Sequence, residues 1–359
     1  MYVVRDALSL PLTEKILKTL SPVPVDIISR PEEAVEEARM VPDPIATGKK
    51  LLLVMKPKGR LIKPCPCTPR YIGCGYRIIN ADLNCPLDCT YCILQLYMDH
   101  PVITVHADTG ALFHELDAYL HQNRSRPLRI GTGELGDSLA LDHITGRSAE
   151  FLRYFASHPG VLFEMKTKTA NIGNLLRRKP PKNVVIAWSL NTPAIARSEE
   201  TGAPPVEERI EAAHVLSRAG YRVAFHFDPL ILYPGWERDY PALITRLMTR
   251  VSRERIAWIS LGSLRFPPDL KSIIRKRFRR TEIIAQEFIS GRDGKLRYPK
   301  PLRLRLFGRI AASLRKEAGE VPVYLCMESE DVWEALLRIK PRGKRDVEKR
   351  LVLPLRSRR

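Results

Sequence analysis

Three cysteines, Cys85, Cys89 and Cys92, stand in the spacing C-x3-C-x2-C within Asn84-Cys-Pro-Leu-Asp-Cys-Thr-Tyr-Cys92. Thiolates are soft ligands, and three on one short loop suit the iron of an iron–sulfur cluster. In a four-iron cluster three protein thiolates leave one iron open to a ligand that is not protein. Zinc, completed by His100 or His106, is the alternative, but zinc sites usually pair their ligands as two C-x2-C units or as CCHH. Cys65, Cys67 and Cys74 form a C-x-C-x6-C set that matches no metal site firmly. They read as structural thiols, with an auxiliary cluster completed by Cys326 as the other reading. Cys326 follows an apolar run and is either a thiol facing the reaction or a small buried hydrophobe.

These residues need a scaffold. From residue 77 short apolar runs alternate with amphipathic stretches. The runs are Arg77–Asn80, Val102–His106, Leu128–Gly131, Val161–Met165, Val184–Ser189, Arg222–Asp228, Ile256–Leu261 and Val321–Cys326. Helical spacing marks Gly110–Gln122, Leu141–Ser157, Val206–Ala219 and Tyr240–Ser252. Such alternation predicts an α/β fold, a partial (β/α) TIM-type barrel of parallel strands. Its chemistry belongs at the C-terminal strand ends. The cysteine loop meets that rule, as do Gly131-Thr-Gly133-Glu134, His226 and Asp228. The expected organisation is a small α/β preface with a Cys-rich linker over residues 1–75, then a barrel over 76–330. A basic insertion spans 271–309 and a basic tail 331–359, which is expected to be partly disordered from Lys340 to Arg359.

The chain carries 59 Lys and Arg against 40 Asp and Glu, a net charge of +19. Such an excess favours polyanionic partners, nucleic acid above all. Basic residues of 271–309 are interleaved with Phe278, Phe288, Tyr298 and Phe307, which suggests phosphate contacts beside stacking surfaces. No apolar run approaches the roughly 20 residues of a membrane span. The expectation is a cytoplasmic protein with no membrane attachment.

The cysteine spacing after a first strand resembles the radical S-adenosylmethionine superfamily, and Ile130-Gly-Thr-Gly-Glu134 resembles its Gly-Gly-Glu motif. A closer resemblance is to the spore photoproduct lyase family. It rests on Cys89-Thr-Tyr-Cys-Ile-Leu-Gln95, Gly136-Asp-Ser-Leu-Ala-Leu-Asp-His143, Trp188-Ser-Leu-Asn191, Glu207-Glu-Arg-Ile-Glu-Ala212, Pro229-Leu-Ile-Leu-Tyr-Pro-Gly-Trp-Glu237 and Arg265-Phe266, in the same order. The resemblance implies a [4Fe-4S] cluster on Cys85, Cys89 and Cys92, with S-adenosylmethionine held by Gly131, Gly133, Glu134, Lys166, Ser189 and Asn191. It implies radical repair of a thymine dimer in DNA, fed by a reductase, flavodoxin or ferredoxin. Two departures stand out. The family's hydrogen-donor cysteine aligns with Glu134, and the tyrosine after its last cluster cysteine aligns with Ile93. Candidates for returning the hydrogen are therefore Cys326, Tyr91 and Tyr97. The alternatives are a radical enzyme acting on RNA, a modified nucleoside or a protein, or a non-catalytic zinc-containing nucleic-acid-binding protein.

Overall fold

The computed structural model describes residues 1–67 and 70–357. Its central sheet has seven parallel strands: β1 (Arg77–Ile79), β2 (Leu128–Thr132), β3 (Val161–Thr167), β4 (Val184–Ser189), β5 (Arg222–Leu230), β6 (Ile256–Ser263) and β7 (Val323–Leu325). Spatial order follows chain order from β1 to β7, and the antiparallel strand Ile62–Pro64 edges β1. Each strand pairs with the next after a crossover, so the sheet curls into an open half-barrel. Sequence and burial agree: Val184–Trp188 are wholly buried, as strands covered on both faces must be. The main crossover helices are α1 (Thr109–Gln122), α2 (Arg147–Ala156), α3 (Gly173–Leu176), α4 (Val206–Arg218), α5 (Trp236–Arg250) and α6 (Lys300–Ala318). Asp108 caps α1 by accepting from the Ala111 N–H at 2.9 Å. β5 pairs with β6 through two register shifts, and such irregularities re-aim side chains near a strand end.

Four local expectations need correction. Ile103–His106 is a strand, but it belongs to the preface sheet, ordered Asp26–Ile28, Tyr2–Val4, Leu52–Met55, Ile103–His106, Asp82–Leu83. The chain leaves the cysteine loop and returns to this sheet, where Ile103 and Val105 are buried. The helix expected over 141–157 breaks at Gly146, whose φ of 65° lies in the left-handed region.

The basic tail carries a helix, α7 (Lys344–Ser357), rather than disorder. Val347, Leu351 and Val352 are buried, and the Glu348 carboxylate accepts from the Arg129 N–H of β2 at 3.3 Å. The aromatics of 271–309 do not form an exposed stacking surface. Tyr298 and Phe307 are fully buried, and Phe288 stacks on Tyr298 with centroids 5.0 Å apart. They pack because the insertion folds back on the barrel through α6.

Candidate active site

Past β1 the chain turns at Asn84, which adopts φ 64°. Its side-chain amide donates to the His100 and Val102 carbonyls, both at 2.9 Å. The turn delivers Cys85, Cys89 and Cys92 to one small apolar cluster with Leu87 and Leu94. Lys49 of the preface donates to the Cys85 and Leu87 carbonyls at 3.0 and 2.6 Å. Gln95 donates to the Thr90 carbonyl at 2.9 Å and to those of Cys89 and Cys92 at 3.3 Å. Arg277 completes the clamp with a bidentate pair to Asp88 at 3.1 and 2.8 Å and contacts to Asp43 at 3.0 Å. It also donates to the Gln95 amide oxygen.

Arg277, one of the insertion's cations, is thus turned inward as a loop support rather than outward to phosphate. Replacing it by methionine leaves Asp43 and Asp88 without their shared partner. Iron retained after reconstitution should then fall while far-ultraviolet circular dichroism stays unchanged; iron at the wild-type level would show the clamp to be dispensable.

The three thiols line a cavity of about 150 Å³ together with Gly133, Glu134, Lys166 and Ser189. Burial pushes the Cys85 and Cys89 thiols up, and a bound metal cation favours the thiolate. Three thiols lining one cavity suit a polynuclear cluster. Neither His100 nor His106 lines this cavity, and His106 is bound through Nδ1 to the Asn80 carbonyl at 2.9 Å.

Glu134 follows β2 through a glycine pair that the packing requires. A Cβ on Gly131 would collide with the Glu164 carbonyl and the Tyr76 hydroxyl. Gly133 has φ 89°, and a Cβ there would meet the Lys166 carbonyl and Ser138 Oγ. The Glu134 carboxylate pairs with the Lys166 ammonium at the end of β3, which lies 4.7 Å from the Tyr76 ring centroid. Burial works against that ammonium, but Glu134 and Glu164 more than offset it and its pKa rises. Ser189, ending β4, also reaches the cavity. Asn191 does not. Its amide donates to the Pro229 carbonyl at 2.9 Å and its oxygen accepts from the Tyr240 hydroxyl at 2.7 Å. The side chain is buried in the wall behind the site.

A larger cavity of about 280 Å³ adjoins these groups and takes in Cys65, Cys67, Cys74, Cys326, Tyr91, Tyr97, His226, Asp228 and Arg265. The Arg265 guanidinium makes a bidentate pair with Asp228 at 3.0 and 3.1 Å. The Tyr91 hydroxyl donates to Glu200, a buried carboxylate shared with Arg209 and with Lys168 at 3.4 Å. Tyr97 is 40% exposed at the cavity edge.

Beneath the cavity the Arg129 guanidinium grips Glu164 at 3.0 and 2.7 Å and donates to the Tyr324 hydroxyl at 3.1 Å. Arg129 and Glu164 are fully buried. Burial would raise Glu164, but the Arg129 cation and the His226 ring hold it down at about 2. His226 is itself lowered by burial. Its Nε2 meets the Glu164 carboxylate at 2.7 Å. The sequence carried a signal for this pair: Arg129 and Glu164 each interrupt an otherwise apolar strand. Glu200 and Arg277 carried none, because their partners come from distant segments.

A family model described as spore photoproduct lyase matches residues 75–299. Curated relatives include the spore photoproduct lyases of Clostridium acetobutylicum, 23% identical over 60% of this chain and 65% of the relative, and of Bacillus subtilis, 25% identical over 57% and 60%. The chain thus spans somewhat under two thirds of the length of these relatives. Among solved structures, a cysteine-to-alanine mutant of spore photoproduct lyase superposes with a TM-score of 0.80 at 20% identity, covering 90% of this chain and 97% of that one. A double mutant with bound AdoMet and dinucleoside spore photoproduct gives 0.77 at 19% identity, with the same coverage. At these identities the structural likeness establishes the fold alone, an open half-barrel.

Proposed function

The chain belongs to the spore photoproduct lyase family, and on that premise we infer that it is a radical S-adenosylmethionine lyase acting on a thymine lesion in DNA. The observation that carries this reading is one cavity lined both by Cys85, Cys89 and Cys92 and by Gly133, Glu134, Lys166 and Ser189. The thiols fit a [4Fe-4S] cluster with one open iron. The opposed charges of Glu134 and Lys166 fit the amino-acid end of S-adenosylmethionine, whose ammonium Glu134 would hold and whose carboxylate Lys166 would hold. When bound, these groups supply a carbon-centred radical able to take a hydrogen atom from an unactivated carbon. The protein's part is to hold the lesion against that position and exclude water. Tyr76, Tyr91, Ile93 and Leu264 line the cavity, with Lys168, Arg265 and Lys295 as cations for an anionic substrate.

Catalysis is assigned to residues 76–330, with Asp43 and Lys49 of the preface steadying the cluster loop. A ferredoxin, a flavodoxin or a dedicated reductase supplies the electron in this reading, which places the enzyme in the cytoplasm. No helix among the described residues is long and apolar enough to cross a membrane.

Glu134 has no thiol hydrogen atom to return, and the Tyr91 hydroxyl is committed to Glu200. The reading gives the task to Tyr97, which reaches the cavity edge. Its O–H passes a hydrogen atom to the product carbon radical, and one electron and one proton from the reducing system restore the phenol. Tyr97→Phe should keep 5′-deoxyadenosine formation within about twofold while lowering lesion repair by about tenfold or more. Full repair by the variant removes Tyr97 from the account.

Glu134 also supports a second reading, in which the same chemistry serves RNA, a modified nucleoside or a protein side chain. Reductive cleavage of S-adenosylmethionine in the presence of ultraviolet-damaged DNA separates the two. Lesion consumption supports the first, and cleavage that leaves every lesion intact supports the second.

A further inference from the structure

Four thiols remain that the proposed reaction does not use. Cys65, Cys67, Cys74 and Cys326 come from three segments of chain, and all of them line the 280 Å³ cavity. Cys65 lies just past the edge strand Ile62–Pro64, with its N–H on the Tyr76 carbonyl at 3.0 Å. The Cys65 and Cys67 sulfurs are 3.6 Å apart. Cys326 lies just past β7, and its N–H donates to the Leu261 carbonyl at 2.8 Å. Two segments are stitched together beside the sulfurs, because Ile72 forms an antiparallel bridge with Glu328 and its N–H meets the Glu328 carbonyl at 3.0 Å.

The backbone is shaped around these sulfurs, with Gly75 turning the loop at φ 75°. Gly73 lets the loop lie against Cys67, since a Cβ there would stand 3.1 Å from that sulfur. Positive charge is at hand: Arg265 donates to the Cys326 sulfur at 3.4 Å.

We propose that Cys65, Cys67, Cys74 and Cys326 hold a second iron–sulfur centre in the wall of the substrate cavity. Four thiols around one cavity supply the number of ligands a polynuclear iron–sulfur centre takes. With four thiolates it has no iron left open, so it exchanges single electrons with the cavity and does not bind S-adenosylmethionine. Cys326 is then a ligand rather than a free hydrogen donor, and the thiols of 65–74 are more than structural. The proposal stands on the geometry of these thiols and is independent of which substrate the cavity takes.

The test is iron and acid-labile sulfide per chain in anaerobically reconstituted full-length protein, with ultraviolet–visible and electron paramagnetic resonance spectra. The protein with Cys85→Ala, Cys89→Ala and Cys92→Ala should keep about half of the wild-type iron, and adding Cys65→Ser, Cys67→Ser and Cys74→Ser should remove the remainder. The single variant Cys326→Ser, which disturbs the fold least, should alter the spectrum of the remaining centre in the background lacking the first three cysteines. An iron-free protein in that background overturns the proposal. So does iron that stays unchanged when the three serine substitutions are added to that background, an unchanged spectrum on Cys326→Ser, or one zinc per chain in place of iron.

Discussion

Replacing Cys89 with alanine is expected to remove the iron of the cluster loop and reduce S-adenosylmethionine cleavage to background, a loss of at least about a thousandfold. Cys89 is the most buried of the three thiols and pairs through its backbone with Glu200 of the neighbouring segment. With two thiolates left, a second iron loses its protein anchor, and the cluster has no other soft ligand within its cavity. The fold should survive, because Cys89 contributes only a small side chain to a small apolar cluster. Circular dichroism should match the wild type while cleavage is absent. Cleavage retained in Cys89→Ala would mean that the three-cysteine loop does not carry the chemistry.

The second large effect lies in the barrel floor. Glu164→Leu leaves the fully buried Arg129 guanidinium without its carboxylate. Breaking a buried pair from one side typically costs about 3–5 kcal/mol. Arg129→Met together with Glu164→Leu removes both charges and should cost markedly less. Urea unfolding of the two variants checks the difference, and equal losses would show that the pair is not coupled.

A pH dependence accompanies it. Glu164 is held at about 2 when folded, against an unfolded value of 4.5. Its contribution to stability is therefore fully present above the ordinary carboxylate range. It is lost as pH falls through that range towards about 2. The double variant should show a shallower loss of stability between pH 5 and pH 3 than the wild type, a window that follows from those two values.

The cluster loop was readable in the sequence because its chemistry is local: three cysteines within eight residues need no distant partner to be recognised. The strands were readable because Val184–Trp188 and their neighbours are apolar on both faces, as only a covered parallel sheet requires. Ile103–His106 looked the same in sequence, yet it pairs with Leu52–Met55. Periodicity reports burial and does not report which sheet provides it.

Asn191 shows a related limit. A polar residue just past β4 suggests a ligand contact, but Tyr240 and Pro229 take up its hydrogen bonds. Arg277 erred in the opposite direction, since an arginine in a basic run reads as a phosphate contact until Asp43 and Asp88 are seen to enclose it. The tail helix was hidden by its charge. Only Val347, Leu351 and Val352, spaced for one helix face, reveal the surface that packs inward.

The most direct test of the account is to reconstitute the protein anaerobically with iron and sulfide, then reduce it with S-adenosylmethionine and a dinucleoside spore photoproduct. The account predicts a brown protein that forms 5′-deoxyadenosine and converts the lesion back to two separate thymines. A colourless protein that forms none, with S-adenosylmethionine recovered intact, would contradict it.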